Sequence, residues 1–184
     1  MNDHSQLLLD LRTRAEQEST QLPPTLGRRA AAGAEPELGF ALPPLLTRLY
    51  CEVANGGFGP AYQFLPLIGG DRTAVATYRA ERAQSLAEPP AHWPHGVLPV
   101  LDWGCGMYAA VDCLRAGAPV LLFEPNAVDG NWADAWFQDS PSLSQWLASW
   151  LDGTGWWEEE AMSAQGAADP RPWPDAAERI AAMG

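Results

Sequence analysis

The chain has 184 residues, close to one ordinary domain, and 47% of them are hydrophobic, enough for a packed core. Its net charge is −12, carried by 23 acidic residues against eleven arginines and no lysine. A surface this acidic repels nucleic-acid phosphates and anionic lipid, which excludes both as direct partners, and attracts a basic protein.

In chain order, Ser5 to Glu18 reads as a first helix, with Leu7, Leu8, Leu11 and Ala15 on its apolar side. Residues 19–41 are rich in Pro, Ala and Gly and read as loop. A second helix begins at Pro43-Pro44, where a missing N–H costs nothing. Leu45, Leu46, Leu49 and Val53 share its buried face, and Asn55-Gly56-Gly57 stops it. Gln63 to Ile68 has strand composition, and Asp71 is an N-cap for a helix to about Leu86. Pro89-Pro90 breaks that helix, and His92-Trp93-Pro94-His95-Gly96 is a loop.

Three apolar runs follow with short turns between them: Val97 to Asp102, Met107 to Leu114 and Pro119 to Glu124. Such connections favour an antiparallel meander. Residues 129–139 carry Trp132 and Trp136 among acids, around one more short strand. Then comes the clearest helix. Ser140 would cap it, Pro141 would take its first position, and Leu143, Trp146, Leu147, Trp150 and Leu151 form a buried stripe. Asp152-Gly153 ends it, and the low-complexity tail closes with a short helix over Asp175 to Met183. The reading is a single domain over 1–184. Its core lies at about 40–152, preceded by a helix and loop (1–41) and followed by a tail (153–184).

Three cysteines make no disulfide framework, the first residues have no signal-peptide core, and no stretch is long and apolar enough for a bilayer. The expected location is the cytoplasm.

The loudest motif is Val100-Leu101-Asp102-Trp103-Gly104-Cys105-Gly106. It resembles the cofactor loop of S-adenosylmethionine-dependent methyltransferases, where a Gly-rich turn lets the backbone approach the cofactor. Glu124, 20 residues past Gly104, stands where an acid would bind the ribose hydroxyls. Three points oppose this. The turn should open a helix, yet Met107 to Cys113 is short and β-like. Only 60 residues follow Glu124, without the further βα units a doubly wound sheet needs. And about a hundred residues precede the supposed first strand.

A different resemblance absorbs the motif. Leu42-Pro43 opening a helix, Asn55-Gly56-Gly57 closing it and Phe58-Gly59-Pro60 after it resemble the opening of the SUKH superfamily, the fungal cell-wall-regulator-like and bacterial immunity proteins. Leu98-Pro99-Val100, the turn through Gly104 and Gly106, and Tyr108 to Asp112 are similar to that family's hairpin. Val120 to Asn126 resembles its next strand and turn, and Ser142 to Leu151 its closing Ser-x-x-x-Trp-Leu helix. The resemblance implies an α+β fold, with helices packed on one side of a mostly antiparallel sheet. It implies no catalysis and no cofactor. Its bacterial members bind and neutralise toxin domains, often basic nucleases, and the −12 charge suits such a partner. A regulatory interaction module without a toxin is the other function the resemblance permits.

Few residues invite chemistry. Cys105 lacks a dyad signature with His92 or His95, and a small side chain in a tight turn explains it better. His92, His95, Cys105 and Cys113 lack the paired spacing of a structural zinc site, so no metal is expected. The candidate partner-binding residues are Asp102, Glu124, Asp129, Trp132, Asp134, Trp136 and Asp139, aromatics with an acidic rim. For the tryptophans among them, burial at an edge of the core is an equal alternative. For Asp102, local turn bonding is at least as good an account. Asn55, Gly56, Gly57, Gly104 and Gly106 are assigned to turns.

Overall fold

The computed structural model describes residues 4–61, 64–126, 128–158 and 170–182. The fold is α+β, and every strand pair in its sheet is antiparallel. Helix α1 (Ser5–Glu18) buries Leu8, Leu11 and Ala15. The stretch expected as loop contains two single-turn helices, α2 (Arg28–Ala32) and α3 (Glu35–Leu38), which bury Ala31 and Leu38. Elements this short carry no readable period.

Helix α4 (Pro44–Arg48) continues into a wider π-helical turn, Leu49–Val53, and together they bury Leu45, Leu46, Leu49, Tyr50 and Val53. The glycine stop after it is a clip. Asn55 Oδ1 accepts the Leu67 N–H and its Nδ2 donates to the Ile68 carbonyl, both at 2.9 Å. Gly56 lies at φ +79°, and a Cβ there would stand 2.5 Å from the Pro66 nitrogen. The segment it holds was expected as a strand over Gln63 to Ile68. Among its described residues only Phe64 bridges to the sheet, at Leu101, with Leu65 N–H donating to Val100 at 2.8 Å. Pro66 has no N–H to continue a ladder, so the Asn55 side chain takes over the next donor.

Helix α5 (Ala74–Ala87) starts later than expected. Thr73, not Asp71, caps it by accepting the Ala76 N–H at 3.1 Å. Strands β1 (Val97–Gly104), β2 (Met107–Asp112), β3 (Val120–Phe123), β4 (Trp136–Ser140) and β5 (Arg171–Pro172) lie in that order in the sheet. Gly104 pairs with Met107, which leaves Cys105 (φ 52°) and Gly106 (φ 79°) as a two-residue loop. Two successive left-handed residues match the twist of a tight hairpin. A strand, not a helix, follows the glycines, so VLDWGCG here is a hairpin turn.

Register assigns the two faces. Leu101, Ala109 and Leu122 share one row, and Phe64 joins them through its bridge. Phe64 stands edge-on to Trp146, 5.7 Å between centroids, which places helix α6 (Leu143–Asp152) over this face. Ser142, not Ser140, caps α6, accepting Gln145 N–H at 3.2 Å, and Gly153 ends it at φ 64°. Helices α1 and α4 pack against α6. The opposite face is covered as well. Its row Tyr108–Phe123–Trp136 surrounds the fully buried Trp93 at 5.6, 5.1 and 4.9 Å. Trp173, ahead of helix α7 (Ala176–Ala181), extends that cluster at 5.9 Å from Trp136.

Candidate functional site

The β1–β2 turn and the β3–β4 connection meet at one end of the sheet. Glu124 N–H donates to the Ala135 carbonyl at 2.8 Å, closing the base of the connection. Glu124 Oε1 accepts both the backbone N–H and the Nδ2 of Asn126 at 2.7 Å, and Nδ2 also reaches the Cys105 carbonyl at 3.1 Å. Asn126 therefore fastens the two loops together. Asn131 caps the following 3-10 turn, Trp132–Ala135, by accepting Ala133 N–H at 3.2 Å, and it donates to Asp134 at 3.1 Å. Asp129 and Asp134 are exposed, while Trp132 is half-buried.

Between this connection and α5 runs a groove of about 350 Å³, lined by Glu81, Glu88, His92, Phe123, Pro125 and Trp132 among others. Glu81 lies within α5 and Glu88 just past its C-terminal end in extended backbone, and both line the groove. Glu81 Oε2 lies 3.2 Å from His92 Nε2. The His92 ring packs on Trp132 and Phe123 at 5.3 and 6.2 Å, and Trp132 and Phe123 lie 6.3 Å apart. The backbone of His92 is held by the Ser85 hydroxyl, which accepts its N–H at 2.9 Å. The site is thus a fan of rings with carboxylates beside it.

A model of the SMI1 / KNR4 family (SUKH-1) matches residues 30–149, well over half of the chain. The chain belongs to this SUKH-1 family. No curated protein matches it. The matched span takes in the Asn55 clip, the meander, the aromatic groove and the first two-thirds of α6, whereas α1 and the β5–α7 segment lie outside it.

Within this SUKH-1 fold the seven candidate residues divide. Glu124, Asp129, Trp132 and Asp134 come together at the sheet end. Asp102 sits at the same end of β1, but its carboxylate is already engaged. It accepts Gly104 N–H at 2.6 Å and pairs with Arg72, which favours the turn-bonding account. Trp136 is a correction. It is fully buried and donates its indole N–H to the His92 carbonyl at 2.9 Å, so it belongs to the core and offers no surface.

Asp139 is also turned inward. It accepts the Trp146 indole N–H at 2.7 Å, fixing α6 to β4. Burial pushes its carboxyl up to about 6, against the opposing pull of the Trp146 and Trp156 indoles. The Trp156 N–H exerts its pull from outside hydrogen-bond geometry. A raised carboxyl costs stability only when ionised. The cost is absent below the unfolded value of about 4 and complete above the folded value. Asp139→Asn keeps an acceptor for Trp146 and removes the charge. We expect it to be more stable than the parent by about 1–3 kcal/mol at pH 7, with the gap closing as pH falls towards 4. Urea unfolding across that range reads it; a pH-independent gap would refute the assignment.

The other reactive candidates have structural places. Cys105 occupies the exposed hairpin loop. His92 faces Glu81, and His95 Nδ1 lies 3.1 Å from the Tyr78 hydroxyl. Among the described residues no group of three or more His, Cys, Asp or Glu is arranged to hold a metal ion, and no helix is long and apolar enough to cross a membrane. Sequence reasoning missed Glu81 and Glu88. Both carboxylates were visible in the sequence, but only the tertiary fold sets them against Trp132, 51 residues after Glu81 and 44 after Glu88.

Proposed function

We propose that this chain is a non-catalytic immunity protein that binds a basic toxin domain, such as a nuclease, and blocks it. The observation that carries the reading is the acidic, aromatic end of the sheet in a SUKH-1 fold. Glu88, Asp129 and Asp134 are exposed around the half-buried Trp132, and among the described residues no Arg lines the groove. The net charge of −12 adds a long-range field that speeds encounter with a cationic surface. A cationic nuclease site covered by this face would lose access to its phosphates, with no reaction required of the inhibitor.

Co-expression with candidate toxin domains, taken first from the neighbouring genes, tests the reading. The expected result is restored growth and a complex that co-elutes on size exclusion and weakens with added salt. Absence of both rescue and complex would overturn it. The methyltransferase alternative has a direct check: calorimetry with S-adenosylmethionine should show no binding, since the glycines make a hairpin.

A further inference from the structure

The groove between α5 and the β3–β4 connection has a chemistry more specific than general acidity. Its walls are rings on one side and carboxylates on the other. Trp132 is anchored by packing on His92 and Phe123 while remaining partly open to solvent. Phe123 and His92 are buried beneath it, so the face of Trp132 is positioned by the core. Glu81 is held by His92, and Glu88 is exposed with a contact from Gln84 at 3.4 Å. Asp134 and Asp129 add carboxylates outside the rings. Pro89-Pro90, the turn glycine Gly106 and Pro125 also line the groove and offer no positive charge.

We propose that this groove is a subsite for a single arginine side chain presented by a protein partner. A guanidinium is planar and weakly hydrated. It stacks on an aromatic face and directs its N–H fork at carboxylates in the same plane. Trp132 supplies the face, Glu81 supplies an acceptor from α5, and Glu88 a second one from just past the helix end. A lysine ammonium would gain the charge attraction but not the stacked plane or the fork. A volume of about 350 Å³ admits one long side chain and not a folded segment. The subsite deepens the proposed function by naming what a basic partner inserts.

The test uses the full chain and three short blocked peptides, alike except for a central arginine, lysine or citrulline. Binding is followed by the indole and backbone amide resonances of the protein. Arginine peptide should shift the Trp132 indole signal and neighbouring amides in the millimolar range, with lysine several-fold weaker and citrulline inert. Trp132→Ala and, separately, the exposed Glu88→Gln should each weaken arginine binding by about three- to tenfold. Glu16→Gln, on the far surface of α1, should leave it unchanged. No shift at Trp132, or equal binding of arginine with either lysine or citrulline, overturns the subsite. The peptide assay is independent of the toxin experiment. If rescue fails while arginine binds, the immunity reading falls and the subsite stands; rescue without arginine binding has the reverse meaning.

Discussion

Trp136→Ala is expected to cost about 3–5 kcal/mol of folding stability. The side chain is wholly buried between Trp93, Phe123 and Trp173, at centroid distances of 4.9, 4.7 and 5.9 Å. Truncation opens a large cavity in an interior packed as tightly as an organic crystal. It also strands the His92 carbonyl, which accepts the Trp136 indole N–H at 2.9 Å. Trp136→Phe keeps one ring in place and loses the donor and part of the indole's volume, so its cost should be smaller, about 1–3 kcal/mol. Urea unfolding of both variants beside Trp132→Ala separates core from surface. Trp132 is partly exposed and should cost much less. If Trp132→Ala were the more destabilising, Trp136 would not be the core tryptophan and Trp132 the groove tryptophan.

That division shows what local pattern conveys and what it does not. Period-3.6 apolarity marked α6 because Trp146, Leu147 and Trp150 all turn to one side. Alternation and turn residues marked the hairpin, and Gly104-Cys105-Gly106 supplied the left-handed backbone it needs. Family order then separated a hairpin from a cofactor cradle. Trp132 and Trp136, by contrast, sit four residues apart among similar acids, and nothing local distinguishes them. The boundary between the 3-10 turn and β4 falls between them, and the strand pleat sends Trp136 inward. Asp139 likewise reads as surface until Trp146 is seen to donate to it. Pro66 broke the expected strand in a way composition concealed, because the partner for Leu67 N–H is a side chain twelve residues earlier. The groove depended on the longest step: α5 and the β3–β4 connection are remote in sequence, and only the packed sheet brings Glu81 to His92 and Trp132.

The sequence presents the tail as low complexity with a short final helix; its described part joins the sheet through β5, and one arginine clamps it further. Arg179 Nη1 donates to Asp112 Oδ2 at 2.7 Å, and its Nη2 donates to Asp112 Oδ1 at 3.1 Å and to the His95 carbonyl at 2.9 Å. The guanidinium also lies 5.5 Å over the Trp173 ring. Asp112 is completely buried, with Leu114 N–H as a further donor at 3.1 Å. Arg179→Met preserves length and apolar stem but leaves that carboxylate without its counter-charge in a low-dielectric site. The expected loss is about 3–5 kcal/mol. Adding Asp112→Asn should recover a large part of it, since a neutral amide tolerates the vacancy better than a carboxylate does. Hydrogen exchange should localise the first opening at Trp173 N–H, whose bond to the Trp136 carbonyl at 2.9 Å joins the tail to β4. Salt provides an independent control. A buried, forked pair is weakly screened, so the loss should persist at high ionic strength, whereas any effect of breaking the exposed Arg12–Glu16 pair should fade. A loss for Arg179→Met that also vanished in salt would mean that the clamp acts as a surface attraction, and that the tail docks by the β4–β5 pairing and Trp173 without it.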